Sequence, residues 1–153
     1  MMLDELHAVP GHLIRRAQQI AVAIFMEECA DLDLTPVQYA ALVAIGDNPG
    51  IDATRLSSLI AFDRSTLGNV LERLETRGLL TRYSVPEDRR IKRLKLTVGG
   101  RTLIGRAEKA VRRAQDRMLA PLPAKDRDTF MRLLHQFVEL NNDVSRVPQR
   151  VAG

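Results

Sequence analysis

The stretch Asp63 to Thr97, DRSTLGNVLERLETRGLLTRYSVPEDRRIKRLKLT, sets a strongly amphipathic helix directly against a hairpin, and few folds accommodate that junction. Asp63 is suited to cap the helix, because its carboxylate can accept the unpaired amides of a first turn. Leu67, Val70, Leu71 and Leu74 share one face at helical spacing, and Gly78 supplies a natural stop. The opposite face carries Arg64, Ser65, Thr66, Asn69 and Arg73, all hydrogen-bonding side chains. Two strand-like runs follow, near 79–84 and 93–97, joined by a tip rich in proline, acids and arginine.

Elsewhere the period is helical. Leu13, Ala17, Ile20 and Ile24, with Ala21 and Phe25 beside them, predict a long amphipathic helix over about residues 10–30. Thr35 and Pro36 predict the cap and first position of a second helix, which NPG at 48–50 breaks. Asp52 caps a short helix to about Leu59. Beyond the hairpin, Leu103, Ala107, Val111, Ala114 and Met118 mark a long helix that PLP at 121–123 interrupts. In the last helix Phe130, Leu133, Phe137, Leu140 and Val144 form a narrow seam of the kind that packs on a partner helix. The final RVPQRVAG reads as a frayed tail.

The charge is unevenly spread. The chain carries 23 Lys and Arg against 19 Asp and Glu, yet Asp52 to Arg101 alone holds 11 against 6. A basic middle third suits a polyanion, with a merely solvated face as the competing reading. The apolar run IAVAIFM is far shorter than a membrane span and lacks the pattern of a cleaved signal, so a membrane location is not expected. The single cysteine, Cys29, forms no internal disulfide, which suits a reducing cytoplasm. His7, His12 and His135 are scattered, with no metal spacing, phosphate loop or nucleophile motif, so no catalytic residues, metal or cofactor are expected.

Two short helices joined by a tight link, the second with a polar face, followed by a basic hairpin, describe a winged helix-turn-helix. A helix fits the major groove, where short side chains such as Ser65, Thr66 and Asn69 can approach base edges. Arg64 and Arg73 can reach phosphate or guanine, and Arg55 on the preceding helix can grip the backbone. At the tip, Asp88 is spaced to hold the Arg90 guanidinium by a bidentate contact and aim it into the narrow minor groove. An ordinary exposed salt bridge is the alternative. Arg89, Lys92 and Arg93 would add phosphate contacts along the wing.

The colinear run LTPVQYAAL, NPGI, RLSSLIAFDRSTLGNVLERLETRGLLTR and PEDRRIKRLKLTVGG, within Leu34 to Gly100, resembles the MarR (multiple antibiotic resistance regulator) family of bacterial transcription factors. The resemblance implies a mainly α fold: one MarR-type domain over 1–153, with a winged helix-turn-helix and its α+β wing at 35–100. Helices at 1–34 and 101–147 would then be dimerisation helices on either side of it. It implies a homodimer whose two heads straddle a palindromic double-stranded DNA operator, and a repressor released by a small-molecule effector, often an aromatic acid.

Family effectors bind between the dimer helices and the winged unit. His7, His12, Arg16 and Gln19, with Gln38 and Tyr39 on the second helix and Phe62 in the link, could surround a planar carboxylate there. Solvated arginines and histidines bonded across the dimer are the competing reading. The start PGHLIRRAQQIAVAIFMEEC resembles family regulators of aromatic-acid catabolism, which points to hydroxynicotinate-, benzoate- or coumarate-like effectors. The alternative is a redox-sensing repressor acting through Cys29, although its place on the apolar side near the end of its helix favours a buried structural thiol.

Overall fold

The computed structural model describes residues 1–151. It opens with a short helix that the periodicity does not signal, α1 (Leu3–Ala8), where the Glu5 carboxylate accepts the Met2 amide at 2.7 Å. Pro10 then occupies the first turn of α2 (Pro10–Glu28), where its missing N–H removes no helical bond. Helix α3 (Pro36–Asp47) begins as expected: Thr35 Oγ1 accepts from the Gln38 amide, and Gln38 Oε1 accepts from the Thr35 amide. Asp52 and Asp63 cap α4 (Ala53–Ile60) and α5 (Arg64–Thr76), accepting from the Arg55 and Ser65 amides.

The wing is an antiparallel pair, β1 (Leu80–Val85) and β2 (Asp88–Leu96), with Leu80 opposite Leu96 and Tyr83 opposite Arg93. The second strand starts five residues earlier than the apolar alternation suggests, so only Pro86 and Glu87 form the turn and Asp88 and Arg90 stand on strand backbone. Alternation then sets the faces: Leu94 and Leu96 are buried and Lys95 is exposed. The segment after α3 adds a third edge that the sequence reading missed. Gly50 N donates to Leu94 O at 2.8 Å and Leu94 N to Ile51 O at 2.9 Å, made possible by the positive φ of Gly50.

Leu34, Leu42, Ile45, Leu56, Leu67, Leu71, Leu74, Leu80 and Leu94 are almost wholly buried and draw α3, α4, α5 and the wing into one core. Helix α6 (Val98–Leu119) leaves that core through Leu103 and Ala107 and meets α2 at a second cluster of Phe25, Cys29 and Ala110. Arg113 and Arg117 on α6 bind Glu28 and Glu27 on α2, at 3.1 and 2.6 Å. Hydrogen bonding from Arg113, then Arg117, holds the Glu28 carboxyl below its usual range against the opposing effect of burial.

Helix α7 (Ala124–Leu140) has no buried residue. The expected seam therefore exists but lies open, with Phe130, Leu133 and Phe137 about half exposed. It is also shorter than expected: the helix stops at Leu140, and Val144 lies in a 3-10 turn, 84% exposed. The expected fraying of the tail is not seen among the described residues. Arg146 to Arg150 fold back onto the α4–α5 turn; Ala152 and Gly153 lie outside the described chain. Among the described residues no helix is long and apolar enough to cross a membrane.

The tightest crossing joins α5–β1 to β2–α6. Thr97 Oγ1 caps α6 by accepting from Gly100 N at 3.0 Å and donates to Gly78 O at 2.6 Å. A Cβ on Gly100 would overlap the Leu79 carbonyl oxygen, whereas one on Gly105 meets nothing within 4 Å. Gly100→Ala is expected to cost about 1–3 kcal/mol through overpacking against backbone. Gly105→Ala should gain about 0.5–1 kcal/mol of helix propensity. Thermal unfolding of the two variants checks both signs.

Candidate nucleic-acid interface

Burial of Leu67, Leu71 and Leu74 turns the other side of α5 outward, leaving Arg64, Ser65, Thr66, Asn69 and Arg73 all exposed. Two of these side chains also stabilise their own helix start. Ser65 Oγ donates to Asp63 Oδ1 at 3.1 Å, and Thr66 Oγ1 to Asp63 O at 3.4 Å. Their hydroxyl lone pairs still face outward chemistry as acceptors.

The structure gathers the other expected residues into two clefts on either side of this helix. One, of about 500 Å³, lies between α4, α5 and the wing and is lined by Arg55, Arg64, Arg90 and Lys92 together with Asp52 and Arg82. The second, about 700 Å³, brings Asn69 and Arg73 beside Thr35, Gln38 and Arg77. Five cations and one acid around the first cleft give a field suited to phosphate.

At the wing tip Asp88 Oδ1 accepts from Arg90 N at 3.1 Å and from Arg90 Nε at 3.4 Å. The contact therefore runs through one carboxylate oxygen and includes the backbone, rather than the bidentate fork expected. The aim is nonetheless outward, since the Arg90 side chain is 93% exposed. Lys92 Nζ donates to Ser84 Oγ across the strands at 3.0 Å, and Arg89 is exposed.

Three arginines escaped the sequence reading as positioning groups. Arg77 donates to Asp33 O at 2.6 Å and Leu32 O at 3.1 Å, tying the end of α5 to the loop before α3. Arg82 pairs with Glu75 at 3.6 Å and links β1 to α5. Arg93, expected to face phosphate, instead donates to Gly50 O at 3.4 Å and keeps a buried Nε without a hydrogen-bond partner. Their signal in sequence was only a basic charge, because each partner is distant along the chain or a backbone carbonyl.

The residues expected around an effector are not brought together within one protomer. His7 and His12 stack at 5.1 Å, and Arg15 Nη2 lies 3.4 Å from His12 Nδ1. Desolvation and then the charges of Arg15, His7 and Arg16 lower the His12 pKa from its ordinary value. Arg16 and Gln19 are exposed on the same half of α2. Tyr39 packs 6.2 Å from Phe25, and Phe62 sits against the head core. Gln38 is largely buried; its carbonyl is used in the α3 cap and it borders the cleft with Asn69. Among the described residues no group of three or more His, Cys, Asp and Glu could hold a metal ion.

A model described as MarR family matches residues 32–91. The chain is 30% identical over 129 residues to the HTH-type transcriptional repressor NicR of Pseudomonas putida, covering 84% of this chain and 82% of NicR. This chain belongs to the MarR family. As a MarR-type protein it is a DNA-binding transcriptional regulator and not an enzyme. CouR, solved bound to a 23-mer DNA duplex, matches this MarR chain with a TM-score of 0.80 at 32% identity, over 90% of this chain and 98% of CouR. BpsR of Bordetella bronchiseptica, solved to explain regulation of its DNA binding by 6-hydroxynicotinic acid, matches with a TM-score of 0.78 at 31% identity, over 86% and 94% of the two chains.

Cys29 is 1% exposed, and burial, with Glu28 beside it, pushes its thiol above the ordinary value. A thiol held protonated and covered is a poor nucleophile. Native protein is expected to react with iodoacetamide far more slowly than denatured protein, and peroxide should leave DNA binding intact. Rapid native labelling, followed by mass spectrometry, would restore the redox reading.

Proposed function

We propose that this MarR-family regulator is a homodimeric repressor that holds a palindromic operator with two winged heads and is released by a small aromatic carboxylate. The observation that carries the DNA reading is the oriented Arg90, held by Asp88 at the mouth of the cleft that Arg55, Arg64 and Lys92 line. In this reading Ser65, Thr66 and Asn69 meet base edges, Arg64 and Arg73 reach guanine or phosphate, and Arg55, Arg89 and Lys92 grip the backbone. Arg90 enters the minor groove, where A·T-rich narrowing concentrates negative potential.

Dimerisation is favoured by the apolar surface that one protomer leaves open. Leu13, Ile14 and Ile20 of α2 and Phe130, Leu133, Leu134, Phe137 and Val138 of α7 are all between 43% and 53% exposed. Apolar faces of this extent, one of them on a helix with no buried residue, favour cover by another chain.

The effector reading rests on the chemistry of α2 and on what the similar proteins bind. Arg15 and Arg16 place two cations beside His12, a donor set for a carboxylate attached to a ring. Tyr39 and Phe62 give an apolar wall on the head, and in the proposed dimer a second protomer closes the space between them. Regulation of BpsR by 6-hydroxynicotinic acid supports a ring acid as the class, and CouR, solved with p-coumaroyl-CoA, takes an aromatic acyl thioester. The site does not discriminate among hydroxynicotinate-, benzoate- and coumarate-like acids.

Arg90→Ala should weaken operator binding by about 1–3 kcal/mol and leave the dimer intact, as gel shifts and sedimentation would show. Unchanged affinity would remove the wing from the DNA account. Phe137→Glu places a charge in the open seam and is expected to yield monomers that no longer hold the operator. An intact mutant dimer in sedimentation would locate the interface elsewhere. In a thermal-shift screen of aromatic carboxylates, a ligand at 100 times its Kd should raise apparent stability by about 2.7 kcal/mol. The same acid should release DNA, and Arg16→Ala should lose both responses; stabilisation without release would contradict the proposed coupling.

A further inference from the structure

The turn between α4 and α5 is held by a segment more than eighty residues away in sequence. Helix α4 is short, and its last carbonyls have no partner inside the helix. Ser57 O is taken by Phe62 N at 2.9 Å, across Ala61 in the left-handed conformation. The next two are met by the tail: Arg150 N donates to Ser58 O at 2.9 Å, and Gln149 Nε2 donates to Leu59 O at 3.0 Å. The guanidinium of Arg146 pairs with Asp63 Oδ2, while Asp63 Oδ1 caps α5 through Ser65. One segment thus completes the end of the first helix of the pair and contacts the start of the second.

The same segment is locked to the end of α7. Asn142 Nδ2 donates to Gln149 O at 3.1 Å, and Gln149 N donates back to Asn142 Oδ1 at 2.9 Å. Arg150 pairs with Asp143 at 2.9 Å. An amide side chain bonded twice to one residue's backbone closes residues 142–149 into a loop that moves with α7. The head is therefore joined to the helical frame by three routes: covalently through the link from α2 to α3 and through α6 after the wing, and non-covalently through this loop at the helix-turn-helix itself.

We infer that residues 145–150 brace the recognition helix, and that Arg146 and Gln149 are positioning residues that set its angle to the DNA. The brace transmits any rotation of α7 to the N-terminus of α5, where Ser65 and Thr66 stand. The inference rests on the family's DNA binding and is independent of the proposed effector.

Operator binding by the unaltered protein is the reference that separates a failure of the DNA reading from a failure of the brace. Arg146→Ala, and a chain ending at Ser145, are expected to bind the operator about 3- to 10-fold more weakly, the scale of one ion pair and one or two hydrogen bonds. Affinity for a non-specific duplex and the slope of log affinity against log salt should stay unchanged, because no phosphate contact is lost. Arg146→Lys should recover part of the specific affinity, and amide exchange at Phe62, Thr66 and Leu67 should speed up in the shortened chain. Equal weakening on both duplexes, with the salt slope shallower by about one, would make Arg146 a phosphate contact and overturn the brace. Unchanged operator affinity in the shortened chain would overturn it as well.

Discussion

Leu67, Leu71 and Leu74 pack into a core shared with Leu42, Ile45, Leu56, Leu80 and Leu94, and that packing decides which side of α5 meets the outside. Each such side chain contributes about 1.5–3 kcal/mol on burial. An exposed ion pair of the kind that decorates the opposite face contributes about 0–1 kcal/mol. The apolar face therefore orients the helix and the polar face is carried with it. The caps, the Arg77 bridge to Leu32 and Asp33, and the Arg82 pair to Glu75 refine an orientation already chosen by the leucines.

The wing depends on the same core. Leu94 and Leu96 anchor β2, and the strand's period of two sends the alternate side chains outward. Arg90 stands farther along that strand, where no core residue holds it and Asp88 alone sets its direction. Rigidity thus falls from the buried end of the wing to its tip. The frame shows the opposite balance: α7 has no buried residue, so a single chain leaves the apolar face of that helix uncovered. The proposed dimer would supply the missing half of that core, and the tail at residues 145–150 already connects α7 to the reading head.

Much of this arrangement was legible in the sequence because it rests on local signals. The caps at Thr35, Asp52 and Asp63 each accept from an amide two or three residues on, and the leucine spacing of α5 is a periodic pattern. The pieces that were not legible depend on distant partners. Helix α1 is six residues long and wholly without burial, so it leaves no period to detect. The tail looked frayed because its bonds go to Ser58 O, Leu59 O and Asp63 rather than to neighbours. Gln38 was assigned to an effector from its place on α3, but its first-turn position commits it to the cap. The clefts collect six of the residues expected to face DNA, whereas the expected effector residues are spread over α1, α2 and the head.

In the proposed dimer two heads on one frame read one palindrome. The most direct measurement compares the operator, isolated by selection from genomic fragments, with a duplex carrying only one of its half-sites, using fluorescence anisotropy with the stoichiometry fixed by sedimentation. One dimer is expected on the full operator, with tight binding there and binding close to the non-specific level on the half-site. One chain on the half-site with the affinity of the full operator would contradict it.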